Sequence, residues 1–157
     1  MTTLSPMTPA EFQAWREAQI PAYARDKVVC GEWSEAESLA RSRAEVEALL
    51  PDGPETLGHC LWAIRDPAHA ESIGALWMAE QQSNARRIAY VFDLLVKPPY
   101  RRQGHARRAF QALEAKVREL QLDGISLHVF GHNAAARALY ERLGYATTSL
   151  MMFKPLA

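Results

Sequence analysis

Two proton-handling side chains, Tyr140 and His128, and a basic turn around Gly104 are the parts of this chain whose types and spacing suit chemistry. The turn reads Arg101-Arg102-Gln103-Gly104-His105-Ala106. It sits between an apolar run ending at Pro98-Pro99 and an amphipathic pattern that opens directly after it. From Leu94 to Leu113 there is no acidic residue, yet Lys97, Arg101, Arg102, Arg107 and Arg108 all fall there. Ala106, Phe110, Leu113, Val117 and Leu120 repeat at spacings of four and three, which is one helical stripe. Strand, tight loop and helix start leave backbone N–H groups without partners at the positive end of the helix dipole. That geometry binds anions, phosphates above all. A solvated basic helix start would look the same in sequence. The glycine spacing matches neither a P-loop nor a dinucleotide-binding turn.

His128 falls in an apolar run, Ile125 to Phe130, that reads as a strand. Alternation puts Ile125, Leu127 and Val129 on one face and Ser126, His128 and Phe130 on the other. A histidine, with a pKa near ~6.5, can accept a proton from an amine directly or through water. A structural histidine held by a hydrogen bond fits the same residue. Asp93 and Glu80 are the other candidates for a base, and His132 and His105 are expected to face solvent or phosphate. Tyr140 lies seven residues after Asn133, two turns on, so both occupy one helix face. Its phenol has a transferable proton, and it could equally anchor the helix to a sheet. Asn133 is placed to cap that helix.

The elements that must position these residues follow from the pattern. Thr2 to Pro6 suits a short edge strand. Thr8-Pro9-Ala10-Glu11 reads as cap, first-turn proline and capping-box acid, starting a helix to about Ala18. Pro21 is expected to interrupt it before a second helical piece that ends near Val29. Ser34 with Glu37 is another capping box, and Leu39, Val46, Leu49 and Leu50 supply an apolar face until Pro51. Three strands are expected over Gly58–Arg65, Ile73–Glu80 and Arg87–Val96. The helix of the basic turn is expected to end before Asp123-Gly124. A strand to Phe130, a helix over Ala134–Leu143 and a final strand over Tyr145–Phe153 complete a mixed α/β fold.

Several of these residues resemble the GCN5-related N-acetyltransferases. Arg101-Arg102-Gln103-Gly104-His105-Ala106 is similar to that family's R/Q-x-x-G-x-G/A pyrophosphate loop, and Leu94-Leu95-Val96-Lys97-Pro98 to its L-x-V-x-P strand end. Asn133 to Tyr145 resembles its N-x-x-A-x-x-L-Y-x-x-x-G-[FY] segment. The two motifs stand in the family's order, about thirty residues apart. Ala106 replaces the more usual second glycine, and Arg102 stands where many members have glycine. The resemblance covers Ala89 to Phe153 well and the first half loosely.

It implies a central, mostly antiparallel sheet flanked by helices, and an acetyl-CoA-dependent transfer to a primary amine in a ternary complex, without a metal. It further implies cofactor contacts at Arg101, Arg102, Gln103, Gly104, His105, Ala106 and Asn133. The strand of Leu94, Leu95 and Val96 would part from its neighbour and pair with the pantetheine arm, and an N–H near Leu95 would polarise the thioester carbonyl. The leaving thiolate, pKa about 8.5 in water, benefits from a proton, which makes Tyr140 the expected acid. Many members carry Glu at the position of His128, the expected base. Tyr23, Asp26, Glu32 and Trp33 would wall the acceptor site. A non-catalytic acyl-CoA-binding module is the alternative.

With 157 residues, 48% hydrophobic, the chain suits one domain, residues 1–157, with a real core. Its 18 basic and 18 acidic residues balance, which argues against nucleic acid or an anionic membrane as partner. Cys30 and Cys60 show no metal-binding or paired spacing. No apolar run approaches ~20 residues and no signal-peptide pattern opens the chain, so a soluble cytoplasmic protein is expected. The acceptor amine stays undefined, and a homodimer stays open.

Overall fold

Thr8 starts the first helix through a reciprocal cap. Its hydroxyl accepts the Glu11 N–H at 3.2 Å, and the Glu11 carboxylate accepts the Thr8 N–H at 2.9 Å. In the computed structural model, which describes residues 1–157, this helix α1 runs unbroken over Pro9–Val29. The expected break at Pro21 is absent. A proline removes one N–H donor from the ladder, and here Phe12, Trp15, Ile20 and Ala24, buried on both sides of it, hold the helix to the sheet. Helix α2 (Glu35–Leu49) packs on α1 through small residues. Ser38 and Ser42 are buried, and the Ser42 hydroxyl donates to the Ile20 carbonyl at 2.7 Å. Leu39 and Leu49, expected inside, lie at the surface, while Val46 and Leu50 are buried.

The strands are β1 (Thr3–Pro6), β2 (His59–Arg65), β3 (Gly74–Ser83), β4 (Arg86–Val96) and β5 (Gly124–Leu127). They form one sheet in that order, antiparallel from β1 to β4 and parallel between β4 and β5. Gly74 is required where β3 meets β4, since a Cβ there would lie 2.2 Å from the Leu95 carbonyl oxygen. Helix α3 (His105–Glu119) follows β4, and α4 (Ala134–Arg142) follows β5. No helix is long and apolar enough to cross a membrane.

Leu61 to Ile64 of β2 and Gly74 to Ala79 of β3 are buried on both faces, so these stretches are continuous in apolar residues, while Glu80 to Ser83 of β3 are exposed and polar. Leu61, Ala63, Ala75 and Trp77 face Phe12, Trp15, Ile20 and Val46 of α1 and α2. Trp62, Leu76 and Met78 face Phe110, Leu113 and Val117 of α3. Phe110 and Leu113 are fully buried, each contributing about 1.5–3 kcal/mol. Two expectations fail at the C-terminal side. β5 ends at Leu127, so His128 and Phe130 lie past the strand, and residues 145–153 form no strand. Pairing with β4 covers only Gly124 to Leu127, and β5 has no second neighbour to extend it.

Candidate active site

β4 and β5 pair in register from Ile88–Gly124 to Val91–Leu127 and no further. Beyond Val91 the strands part, while β4 stays bonded to β3 through Val96. Phe92 to Val96 therefore offer backbone groups toward a wedge-shaped gap. The side chains of this stretch serve the core: Val96 is buried, and Leu94 packs on the α3 side. A β-bulge lies at the mouth of the gap. Trp77 pairs with Asp93 and Met78 with Val91, which leaves Phe92 as the extra residue. The bulge turns both Phe92 and Asp93 toward α1 and α2. There Phe92 stacks on Trp77, ring centroids 4.4 Å apart, and Asp93 accepts the Trp15 indole N–H at 2.9 Å. Burial, opposed by that hydrogen bond and reinforced by the negative charge of Asp26, pushes the Asp93 carboxyl up to about 6.

At the end of the gap stands the basic turn. Arg102 and Gly104 have φ of 63° and 79°, in the left-handed region, so the chain reverses tightly into α3. The Arg101 side chain donates to the Val96 carbonyl at 2.8 Å and that of Gln103 to the Pro99 carbonyl at 3.2 Å, fastening the turn to the end of β4. Six successive backbone N–H groups, Arg102 to Arg107, donate to no acceptor of the chain. They gather at the positive end of a 15-residue helix. One expectation is corrected here. The His105 side chain faces neither solvent nor a phosphate; it is 5% exposed and lies 3.0 Å from the Arg108 guanidinium. That neighbour, Thr2 and Asp66 hold the ring inside, so only its backbone faces outward with the turn. Burial and then the Arg108 charge lower its pKa.

Together these features make an anion cradle leading into a strand edge with unpaired peptide groups. The family model for the Acetyltransferase (GNAT) family matches residues 12–145. The chain belongs to the GNAT acetyltransferase family. It is 32% identical over 154 residues to YdgE and 34% identical over 153 residues to YycN, both uncharacterized N-acetyltransferases of Bacillus subtilis, with 97–98% of each chain covered. The crystal structure of YycN superposes with a TM-score of 0.94 at 33% identity, covering 100% of this chain and 99% of that one. A more distant acetyltransferase from Pyrococcus furiosus shares the fold, with a TM-score of 0.70 at 22% identity.

The N-acetyltransferase brings its other candidate residues to the same region with differing exposure. The Tyr140 ring packs edge-on against Phe110 at 5.3 Å, and burial, then the Asp93 charge, pushes its phenol up to about 12. Its proton is therefore firmly held at neutral pH. Tyr145 packs on the same phenylalanine, and its hydroxyl is buried without a hydrogen-bond partner. Asn133 caps α4, accepting the Ala136 N–H at 3.2 Å. His128 is exposed beyond β5, its ring 5.0 Å from that of Phe130.

The residues expected to wall an acceptor site gather at that end. Tyr23 meets Trp33 edge-on at 5.5 Å and approaches Phe130 at 6.5 Å, and Asp26 lies 3.1 Å from the His132 ring. Lys27 sits 5.6 Å from the Tyr23 ring and 5.4 Å from that of Trp33, and pairs with Glu32. Glu80 is elsewhere. It pairs in register with Ala89, on the opposite face from Asp93, and its carboxylate is held by Arg87 at 3.0 Å. Trp15, 78 residues from Asp93, carries no sequence signal that would join it to the site. His59, which accepts the Trp77 indole N–H at 2.9 Å and stacks on Phe92, carries none either.

Proposed function

We propose that this N-acetyltransferase takes its acetyl group from acetyl-CoA and passes it directly to a primary amine, with both substrates held at once on a single domain spanning residues 1–157. The amine belongs to a small molecule, a protein N-terminus or a lysine. The observation that carries the reading is the alignment of two sets of unpaired backbone groups. The free N–H row of Arg102 to Arg107 suits a pyrophosphate, and the free edge of Phe92 to Val96 suits an extended arm bearing amides.

Bound there, acetyl-CoA supplies an activated thioester carbonyl and a thiol leaving group. The remaining work falls to the chain. A backbone N–H near Leu95 donates to the carbonyl oxygen as it gains charge. Tyr140, held protonated by burial, delivers its proton to the departing sulfur. His128, at the open end of the cleft beside Phe130, takes the proton that the amine gives up. A second reading gives that role to Asp93, because its raised carboxyl near 6 and its place on the bulge suit a base working near neutrality.

The test is ligand-linked stability with a thiol-release assay. Coenzyme A should raise the melting temperature by mass action, and Gly104→Asp should remove that rise. An added side chain there would meet the Arg108 guanidinium at 2.9 Å, and its charge would oppose a phosphate. Free thiol should appear only when acetyl-CoA and an accepted amine are both present. A coenzyme A shift that survives in Gly104→Asp would overturn the assignment of the turn.

A further inference from the structure

Behind the basic turn lies a buried polar cluster that the proposed chemistry does not use. Thr2, just before β1, and His105, the first residue of α3, are each 5% exposed. Both side chains meet Arg108, one helical turn past Gly104. Its Nε donates to the Thr2 hydroxyl at 3.0 Å, 106 residues away in the chain. Its Nη2 lies 3.0 Å from His105 Nδ1 and donates to the Gln103 carbonyl at 3.0 Å. Nη1 packs on the turn itself, since a Cβ added to Gly104 would lie 2.9 Å from it. One guanidinium thus ties the N-terminal end of the chain to a carbonyl inside the row of free amides.

Donors and acceptors fix the state of this cluster. A guanidinium only donates, so the Nδ1 facing Arg108 carries a lone pair, and His105 is neutral with its proton on Nε2. The Thr2 oxygen accepts from Arg108, which leaves the hydroxyl proton for the same Nδ1 at 3.5 Å. The Asp66 carboxylate, 3.8 Å from the ring, lies beyond hydrogen-bond reach. What the cluster holds is a peptide group. The Gln103 C=O and the Gly104 N–H belong to one trans peptide and point in opposite directions. Gln103 sits between two residues in left-handed backbone, Arg102 and Gly104, where nothing regular orients that plane. Pinning its carbonyl inward on Arg108 aims the Gly104 N–H outward, among the amides without an acceptor.

We infer that Thr2, His105 and Arg108 are positioning residues for the pyrophosphate of coenzyme A. The threonine hydroxyl and the neutral imidazole hold the guanidinium, the guanidinium holds the Gln103 carbonyl, and that peptide presents the Gly104 N–H to the ligand. Two side chains closed off from solvent, Thr2 and His105, thereby set the affinity of a site they do not line. This rests on the reading of the turn as a pyrophosphate cradle.

Calorimetric titration with coenzyme A should show Thr2→Val and His105→Leu each weakening binding about tenfold, the loss of one hydrogen bond to a charged group. His105→Asn, whose Oδ1 can accept where Nδ1 did, should recover most of that loss. Nitrogen NMR of the ligand-free protein should show His105 Nδ1 without a proton at neutral pH, and the Gly104 amide signal should move in Thr2→Val. A role in stability alone would lower Tm and leave the affinity as in the wild type. That result, His105→Asn binding as weakly as His105→Leu, a protonated Nδ1, or an unmoved Gly104 amide would each overturn the inference. Failure of the reading beneath it looks different: the wild type itself would then bind no coenzyme A, which overturns both. Wild-type affinity in Thr2→Val, with binding lost in Gly104→Asp, removes the positioning role and leaves the cradle.

Discussion

Replacing Asp93 by asparagine should make the protein more stable at neutral pH, and the gain should disappear in acid. The bulge at Phe92 turns Asp93 toward the α1 side, where the Trp15 indole N–H is its only hydrogen-bond donor, at 2.9 Å. Moving its carboxyl from an ordinary 3.8 to about 6 corresponds, at about 1.4 kcal/mol per pH unit, to roughly 3 kcal/mol between the protonated and ionised forms. The folded chain holds this proton more tightly than the unfolded chain. The stabilisation is therefore fully present below about pH 4 and lost as pH rises through about 6. Asparagine keeps the shape and an oxygen for Trp15 but has no charge to bury. Allowing for the burial of its amide, the expected gain is about 2 kcal/mol at about pH 8, or roughly 4–8 °C in Tm for a chain of this size. Urea or thermal unfolding of both proteins across about pH 4 to 8 measures the difference. A gap that stays constant over that range, or a wild type more stable than Asp93→Asn at about pH 8, would refute the raised carboxyl and the account of the bulge.

Three further outcomes are expected. Tyr140→Phe keeps the ring contact with Phe110 and removes the proton, so acetyl transfer should slow about ten- to a thousandfold while the coenzyme A shift in Tm persists. His128→Gln should lower the rate and remove the acidic limb of the kcat/KM profile measured with one fixed amine; if the limb stays in this variant and is lost in Asp93→Asn, Asp93 is the base. Arg102→Gly should stabilise the fold by about 0.5–1 kcal/mol in urea unfolding, since Arg102 holds φ at 63°, where a side chain is strained.

The sequence by itself determined the elements whose causes are local. The Thr8 and Ser34 caps are made by residues three apart. The α3 stripe repeats with the helical period, and the tight turn before it needs the left-handed backbone that Gly104 adopts readily. The N-acetyltransferase family was legible for the same reason, because the basic turn that carries the resemblance is a short run of backbone whose shape a few neighbouring residues set. Pro21 misled because its cost is local, whereas the contacts that outweigh it come from a sheet formed by residues 59–96.

Tertiary structure alone decided what depends on partners far apart in the chain. The parting of β4 from β5 is a matter of register between strands more than thirty residues apart. The bulge that aims Asp93 exists only against β3, and Trp15 finds that carboxylate across 78 residues. His105 was misplaced for a physical reason. Residue type says what a side chain can do, while the direction it points is set by what packs around it, here Thr2, Asp66 and Arg108. The apolar run at Tyr145–Phe153 carries the pattern of a strand, but a strand needs a neighbour, and a single chain leaves that segment without one.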